Sequence, residues 1–463
     1  MEDKKATLTF GGGIGEVGRS HALYEFGNHV LILDCGIKPR SPEEREKLKA
    51  QGEEDLIWSA PDYPDLGILD QKLKEGKEIS ALITHGHLDH IGGISKLIER
   101  GIPICLSNWT RRYFTTRYAD SAFFPEGYFE KAKFITFPRD GHIFQFGDFM
   151  VKCFPVEHSI PDTFGVLIKV GGKNILHLTD FKFNGLHESR SVLENRLLEI
   201  KKECGEIDCL VMDVLNSDMD GFTPPEELVI NNLEEIIKES QGRVFITFFS
   251  SNIQRFGEIM KVCKKLHRPV RVLGQGMKIT HQEFLDSIDG NKRISRRQAG
   301  KSKARPFIGH SREVVLLAGC QGEDNSHIWK CLFGGWLDNN GKFRKSEVTI
   351  SRKDTMAFSS RAIPSSEKSI YELIENIYRR TKKIILHEGE SRKLELPFGV
   401  EERPVHFSGH EYRGGQQKVI EIIGPRMILP VHAEPEKIKL FTDFLGRDSE
   451  RVIIPSLGKV ISI

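Results

Sequence analysis

Over the first 180 residues, apolar positions come in short runs broken by Gly, Asn and Pro: ATLTF, HALYEF, HVLILDCG, ISALITH, FMVKCFPVEH, FGVLIKV and NILHLTD. Runs of this length and β-branched, aromatic character predict strands, with Gly27-Asn28 and the GGKN from Gly171 as hairpin turns. Helical spacing first appears where Ile94, Leu97 and Ile98 share a face, with Gly101 placed to end the helix. Near Leu215 the rhythm changes. Thr223, then Pro224, with Glu226 three positions on, predicts a capping-box helix start, and Leu228, Ile230, Leu233, Ile236 and Ile237 supply its apolar face. Strand and helix then alternate through RVFITFFS, RPVRVLG, a helix near Ser366 to Arg380, and KKIIL, which predicts a parallel α/β unit. A last segment, from RPVHFSGH through RMILPVH to RVIIPSLGKVISI, again mixes short strands and helices, with no internal repeat and no long linker.

At 463 residues the chain exceeds the usual single-domain size, so two units, or one domain interrupted by another, are expected. With 39% hydrophobic and 29% charged residues it reads as a globular protein rather than a disordered or fibrous one. A net charge of +2 makes any phosphate-binding surface a local one. One local candidate is NKRISRRQAGKSKAR, with Lys292, Arg293, Arg296, Arg297, Lys301, Lys303 and Arg305, which fits phosphate contacts and a solvated loop equally well. MEDKKATLTF has no apolar core of a signal peptide, and no apolar run reaches membrane-spanning length, so a cytoplasmic protein without a membrane partner is expected. Eight scattered cysteines without a CxxC pair read as reduced core residues.

FGGGIGEVG contains G-x-G-x-x-G at Gly13, Gly15 and Gly18, but the dinucleotide fingerprint needs a helix next, and HALYEFGNHVLILDCG follows, which is a hairpin pattern. A tight glycine turn between strands is the expectation.

The concentrated chemistry lies elsewhere. THGHLDH places three of the chain's 17 histidines, with an aspartate, inside six positions. His85 and His87 alternate as on a strand, so their side chains should leave the same face, and Asp89 and His90 follow on the turn into a helix. Neutral imidazole with carboxylate suits zinc or a similar borderline divalent ion. Further His and Asp residues at strand ends are His158, Asp180 and His432, each where an apolar strand gives way to a loop.

This set resembles the metallo-β-lactamase superfamily, whose HxHxDH motif is matched by His85, His87, Asp89 and His90, and whose later His, Asp and His are matched by His158, Asp180 and His432. The resemblance implies one metal held by His85, His87 and His158, a second by Asp89, His90 and His432, and Asp180 bridging them. Asp34 falls on the family's early aspartate, which orients ligands. The stretch between Asp180 and His432 is far longer than a lone domain of that family needs. Its motifs resemble the β-CASP nucleases of the ribonuclease J-like group: VMDVLNSD with Asp213, TFFSSNIQR, GQGM, CQGE, DTMAFSSRAIP, HFSGH with His410, and PVHAEP, in family order. The expected fold is therefore α/β, a metallo-β-lactamase αββα sandwich (1–214 and 386–463) interrupted by an inserted parallel β-CASP domain (215–385). FSSN in place of FASN and PVHAE in place of PVHGE are small departures. Longer bacterial members carry a further C-terminal domain, so oligomerisation through that domain is not implied here.

The resemblance implies a dinuclear-metal ribonuclease, 5′-to-3′ exonucleolytic with a preference for 5′-monophosphate ends and with endonuclease activity as a further expectation, in RNA decay or maturation. Two divalent ions are expected, zinc first with Mn²⁺ or Mg²⁺ as alternatives. His410 is the expected general acid, Asp213 the carboxylate that orients it, and Asp180 a catalytic as well as a metal-binding group. His406, Phe407, Ser408, Gly409 and His410 would bind substrate phosphate, as would Ser251, Asn252 and Ser360. Histidine rather than valine at His432 points to RNA over DNA, hence single-stranded RNA as the partner, with a homo-oligomer or an RNA-decay complex as the further partner expectation. The competing readings are a DNA-directed β-CASP nuclease, a small-molecule metallo-hydrolase such as a lactonase or thioesterase, and a non-catalytic RNA-binding subunit. The last expects missing ligands, and none is missing.

Overall fold

A computed structural model describes residues 5–38, 47–48, 50, 63–118, 127–139, 141–186, 188–289, 311–324, 326–338, 341–363 and 366–463. The chain divides into two compact units, breaking after Pro224 and again after Phe407. The basic stretch 292–305 lies outside the described residues.

The first unit is built on two sheets. One orders Ile461–Ser462, Thr7–Gly12, His21–Phe26, His29–Leu33, Glu78–Leu82, Ile104–Ser107 and Phe134–Phe137; the other orders Met427–Val431, Cys209–Asp213, Lys173–Leu178, Thr163–Val170, Phe149–Val156 and His142–Phe146. Period-two alternation sorts the side chains between the layers. In His29–Leu33, Leu31 and Leu33 enter the core between the sheets, while Val30 and Ile32 meet the helix Ile94–Glu99 through Leu97 and Ile98. In Thr163–Val170, Val166 and Ile168 face the inter-sheet core, and Leu167 turns outward to a cluster that includes Leu197 of Arg190–Cys204 and Ile420 of Arg413–Ile423. Each fully buried Leu, Ile or Phe contributes roughly 1.5–3 kcal/mol through removal from water. The result is helix, sheet, sheet, helix: the αββα sandwich. Both expected hairpins form, with Phe26 opposite His29 and Val170 opposite Lys173.

The second unit carries a six-stranded, wholly parallel sheet in the order Val270–Leu273, Val314–Leu317, Val244–Thr247, Thr355–Phe358, Ile384–Leu386, Glu401–Glu402. Its central strands are buried on both faces, as crossover helices require. Glu226–Glu239 and Ile253–Lys265 cover one face through Leu233 and Phe256; His327–Phe333 and Glu367–Tyr378 cover the other through Ile328 and Leu373.

Both breaks between units fall later than the expected limits at 214 and 385. Asn216 bridges to Tyr412, and Thr223 bonds to His410 and Tyr412, which keeps 215–224 with the first unit. Glu401–Glu402 pairs with Ile384–Leu386, and Val405 sits in the second unit's core. The capping box is absent for the same reason: the Thr223 hydroxyl donates to the His410 carbonyl at 2.8 Å, Pro225 is the N-cap, and Glu226 instead pairs with Arg255. All eight cysteines are free thiols, seven of them buried. Among the described residues no helix is long and apolar enough to cross a membrane.

Candidate metal centre

The strand Glu78–Leu82 ends before the histidine motif, so His85 and His87 lie on the loop that follows and not on an alternating strand. His87 is the N-cap of a single helical turn, Leu88–Ile91, which carries Asp89 and His90. Asp34 shapes this loop. It sits at φ +61°; its Oδ1 accepts the Thr84 N–H at 2.7 Å, and its Oδ2 accepts the Thr84 hydroxyl at 2.8 Å and His90 Nδ1–H at 2.7 Å. With Nδ1 of His90 committed as donor, its Nε2 lone pair faces the centre. Gly36 allows the close approach: a Cβ there would stand 1.7 Å from the Asp89 carbonyl oxygen.

Three more ligand candidates arrive from the second sheet of the unit. His158 follows Phe149–Val156, Asp180 follows Lys173–Leu178, and His432 follows Met427–Val431 with φ +58°. The His432 N–H donates to the Gly13 carbonyl at 3.0 Å. The glycine turn therefore anchors a residue of the site, and the strand His21–Phe26 follows it where a dinucleotide fingerprint needs a helix. His158 Nδ1 donates to the Gly409 carbonyl at 2.7 Å, which leaves its Nε2 lone pair inward, 3.0 Å from His87 Nδ1.

All seven predicted residues converge. The ligand atoms of His85, His87, His158 and Asp180 lie within 4.8 Å of one another, as do those of Asp89, His90, Asp180 and His432. Asp180 belongs to both groups: Oδ2 is 3.4 Å from His85 Nε2 and 3.4 Å from His158 Nε2, while Oδ1 is 3.2 Å from His90 Nε2 and 3.8 Å from His432 Nε2.

The donor set fits divalent cations. Both oxygens of Asp180, Nε2 of His85 and Nε2 of His432 are buried without a hydrogen-bond partner, an arrangement that costs free energy unless something positive satisfies it. Burial lowers the pKa of His85 and of His158, and with His85 nearby it takes His87 to about 3, so these rings are neutral, the metal-binding form. His90 differs: burial pushes its pKa down, but Asp180, Asp34 and Asp89 outweigh it and raise it well above the usual value. That surplus of carboxylate is the charge a cation would balance.

Beside the cluster, His410 Nδ1 bonds Asp213 Oδ2 at 2.8 Å, and its Nε2 is 3.9 Å from Asp180 Oδ2. Burial lowers the His410 pKa, yet Asp180 and Asp213 lift it to about 9, so the ring carries its proton at neutral pH. The His410 side chain keeps 15% of its surface exposed against 1% for Asp213, so it is the reachable end of the pair. Its backbone carbonyl is held by Asn216 Nδ2 and the Thr223 hydroxyl. Glu411 accepts N–H bonds from Phe183, Thr223 and Tyr412, fastening the loop to two neighbouring segments. The helix expected near Glu411 begins at Arg413, with Tyr412 as N-cap.

The second unit holds the other predicted phosphate contacts. Asn252 is occupied locally: its side-chain oxygen caps Ile253–Lys265 by accepting Arg255 N–H at 3.0 Å. Ser251 is partly exposed, and Ser360 is buried beside Cys320. His406 bonds Arg255, and Phe407 packs on the core of its unit. Sequence reasoning missed Thr84, Glu411 and the Arg255–Glu226 pair. Arg255 lay inside a recognised motif, but Glu226 looked like half of a capping box.

Three family models match the chain: a beta-lactamase superfamily domain over residues 67–240, a ribonuclease J beta-CASP domain over 241–377, and a Zn-dependent metallo-hydrolase RNA specificity domain over 402–455. Similar curated proteins include Ribonuclease J of Mycoplasma genitalium, 28% identical over 99% of this chain and 74% of that relative. Ribonuclease J of Sinorhizobium meliloti is 28% identical over 96% of this chain and 72% of its own length. Among solved structures, a protein of unknown function from Enterococcus faecalis V583 shares the fold, with a TM-score of 0.60 at 15% identity, covering 99% of this chain and all of that one.

Proposed function

Because the chain is a hydrolase of the β-CASP group within the metallo-β-lactamase superfamily, ribonuclease J-like along nearly its whole length, we propose that it hydrolyses RNA phosphodiester bonds. The observation that carries this reading is Asp180, shared by two ligand sets and flanked by His410, whose ring is held by Asp213. His85, His87 and His158 would hold one ion, Asp89, His90 and His432 the other, with Asp180 between them. A pair of divalent ions, zinc first with manganese or magnesium as alternatives, supplies a water of lowered pKa and neutralises charge on the phosphate oxygens.

The chain's own residues supply the rest. His410 delivers a proton to the departing 3′-oxygen, and Asp213 keeps the ring aligned and charged. Backbone N–H groups of Ser408 and Gly409, together with His410, His406, Phe407, Ser251, Asn252 and Ser360, contact substrate phosphates. Asn252 serves this segment as the cap that shapes the turn after Ser251. Recognition of a 5′-monophosphate makes the enzyme an exonuclease working from that end, with internal cleavage a second activity.

The test is digestion of internally labelled single-stranded RNA bearing a 5′-monophosphate, 5′-triphosphate or 5′-hydroxyl. Mononucleotides released from the 5′ end, fastest from the monophosphate, are expected. Internal fragments alone would remove the exonuclease reading, and lactone or thioester turnover without RNA cleavage would replace a nuclease by a small-molecule hydrolase. Asp34→Asn should weaken metal affinity by roughly 10–100-fold, because the carboxylate that fixes His90 and Thr84 is halved in acceptor strength. Competition against a graded series of chelators measures it; an unchanged affinity would mean that the loop holds His90 without Asp34.

A further inference from the structure

Arg255 is buried in the second unit, 1% exposed, and its guanidinium has an acceptor for every N–H. Nε and Nη2 reach the two oxygens of Glu226 at 2.5 and 3.0 Å, and Nη2 also faces the Phe407 carbonyl at 3.4 Å. Nη1 lies 2.8 Å from the Ser359 carbonyl and 2.8 Å from His406 Nδ1. A guanidinium has no lone pair and keeps its proton in proteins, so each of these contacts is a donation. Nδ1 of His406 is therefore an acceptor, and the ring proton resides on Nε2. The Ser359 carbonyl, 3.2 Å from Nδ1, would accept from a protonated Nδ1, but the Arg255 N–H stands closer, at 2.8 Å, and two protons do not fit in that contact. The charged ring is disfavoured as well: burial and the Arg255 cation, then His387 and Arg361, hold the His406 pKa well below its usual value. Glu226 completes the device, since its fork-to-fork pairing fixes the plane of the guanidinium and balances its charge.

We infer that Arg255, clamped by Glu226, is a positioning residue that fixes His406 as the neutral Nε2–H tautomer, giving the second unit an uncharged, one-directional hydrogen-bond donor to a terminal phosphate oxygen. This rests on the reading that His406 contacts the 5′-phosphate of RNA. A ring with the opposite tautomer would turn its proton into the guanidinium and present only a lone pair to the substrate, repelling a phosphate. A neutral donor also keeps its strength across the pH range in which a free histidine would gain or lose charge.

Two measurements on the full chain test this. In protein labelled with ¹⁵N-histidine, with His406→Gln used to assign the signal, His406 should show an unprotonated Nδ1 and a protonated Nε2 from about pH 6 to about pH 8. Arg255→Lys keeps a cation but loses the fork. It should yield a mixture of tautomers and lower the ratio of 5′-monophosphate to 5′-hydroxyl cleavage about tenfold, toward the ratio of His406→Gln, a loss on the scale of one hydrogen bond to a charged group. Glu226→Gln, which preserves volume and leaves Arg255 in place, should move both readouts the same way by less and serves if Arg255→Lys does not fold. A protonated Nδ1 in the wild-type chain, or a shifted tautomer with an unchanged end preference, overturns the inference. If no RNA is cleaved, the tautomer still answers for Arg255, so failure of the nuclease reading is told apart from failure of the clamp.

Discussion

Asp180→Ala should abolish RNA cleavage, by roughly 10⁴-fold or more, equivalent to about 5.5 kcal/mol of transition-state stabilisation at 1.36 kcal/mol per decade. Asp180 is the one carboxylate common to both ligand groups, with each oxygen committed to a different side. Its loss would take the shared ligand from both of the proposed ions and also leaves five imidazoles without the anion they surround. Metal analysis by mass spectrometry should accordingly show fewer than two equivalents retained after gel filtration, where the wild-type chain retains two. Full activity, or full metal content with full loss of activity, would each contradict the bridging role, the first outright and the second by making Asp180 a purely chemical group.

His410→Ala should lower cleavage by about 10²–10⁴-fold, the range for a lost general acid, without loss of metal. The distinction from Asp180 is geometric: His410 Nδ1 is engaged by Asp213, and Nε2 stands 3.9 Å from Asp180 at the exposed side of the cluster. A leaving group that departs without protonation discriminates the role. With a p-nitrophenyl phosphodiester the defect should shrink to less than tenfold, because a phenolate of that acidity needs no proton from the enzyme. A defect equal on both substrates, or a fall in bound metal, would make His410 a ligand or a structural residue. Asp213→Asn should leave the His410 backbone in place, since Asn216 and Thr223 hold its carbonyl, but remove the carboxylate that aligns and charges the ring, and so show a loss of the same kind.

The site was largely legible because its ligands are chemically uncommon residues at strand ends. Three histidines and an aspartate within one turn have few uses other than a cation, and His158, Asp180 and His432 each sit one or two residues past an apolar strand. The local errors have a common cause. His85 and His87 were expected on a strand by alternation, but Asp34 captures the Thr84 N–H and hydroxyl and ends the ladder at Leu82. Thr223 and Glu226 have capping-box spacing, yet each finds a better partner far along the chain, His410 for one and Arg255 for the other. Asn252, expected at a phosphate, has a local task as well: its side-chain oxygen caps the first turn of its own helix.

By itself, the order of residues determined the layers and the ligand types. Side-chain period, two along a strand and 3.6 along a helix, is a property of the local backbone, so alternation in His29–Leu33 and helical spacing in Glu226–Glu239 already select the buried faces. Only the folded chain decided which carboxylate or carbonyl stands at Nδ1 of His90 and His158, and that a guanidinium faces Nδ1 of His406. Those choices belong to contacts between residues tens to hundreds of positions apart, each worth only about 1 kcal/mol net, and packing of the whole domain settles them.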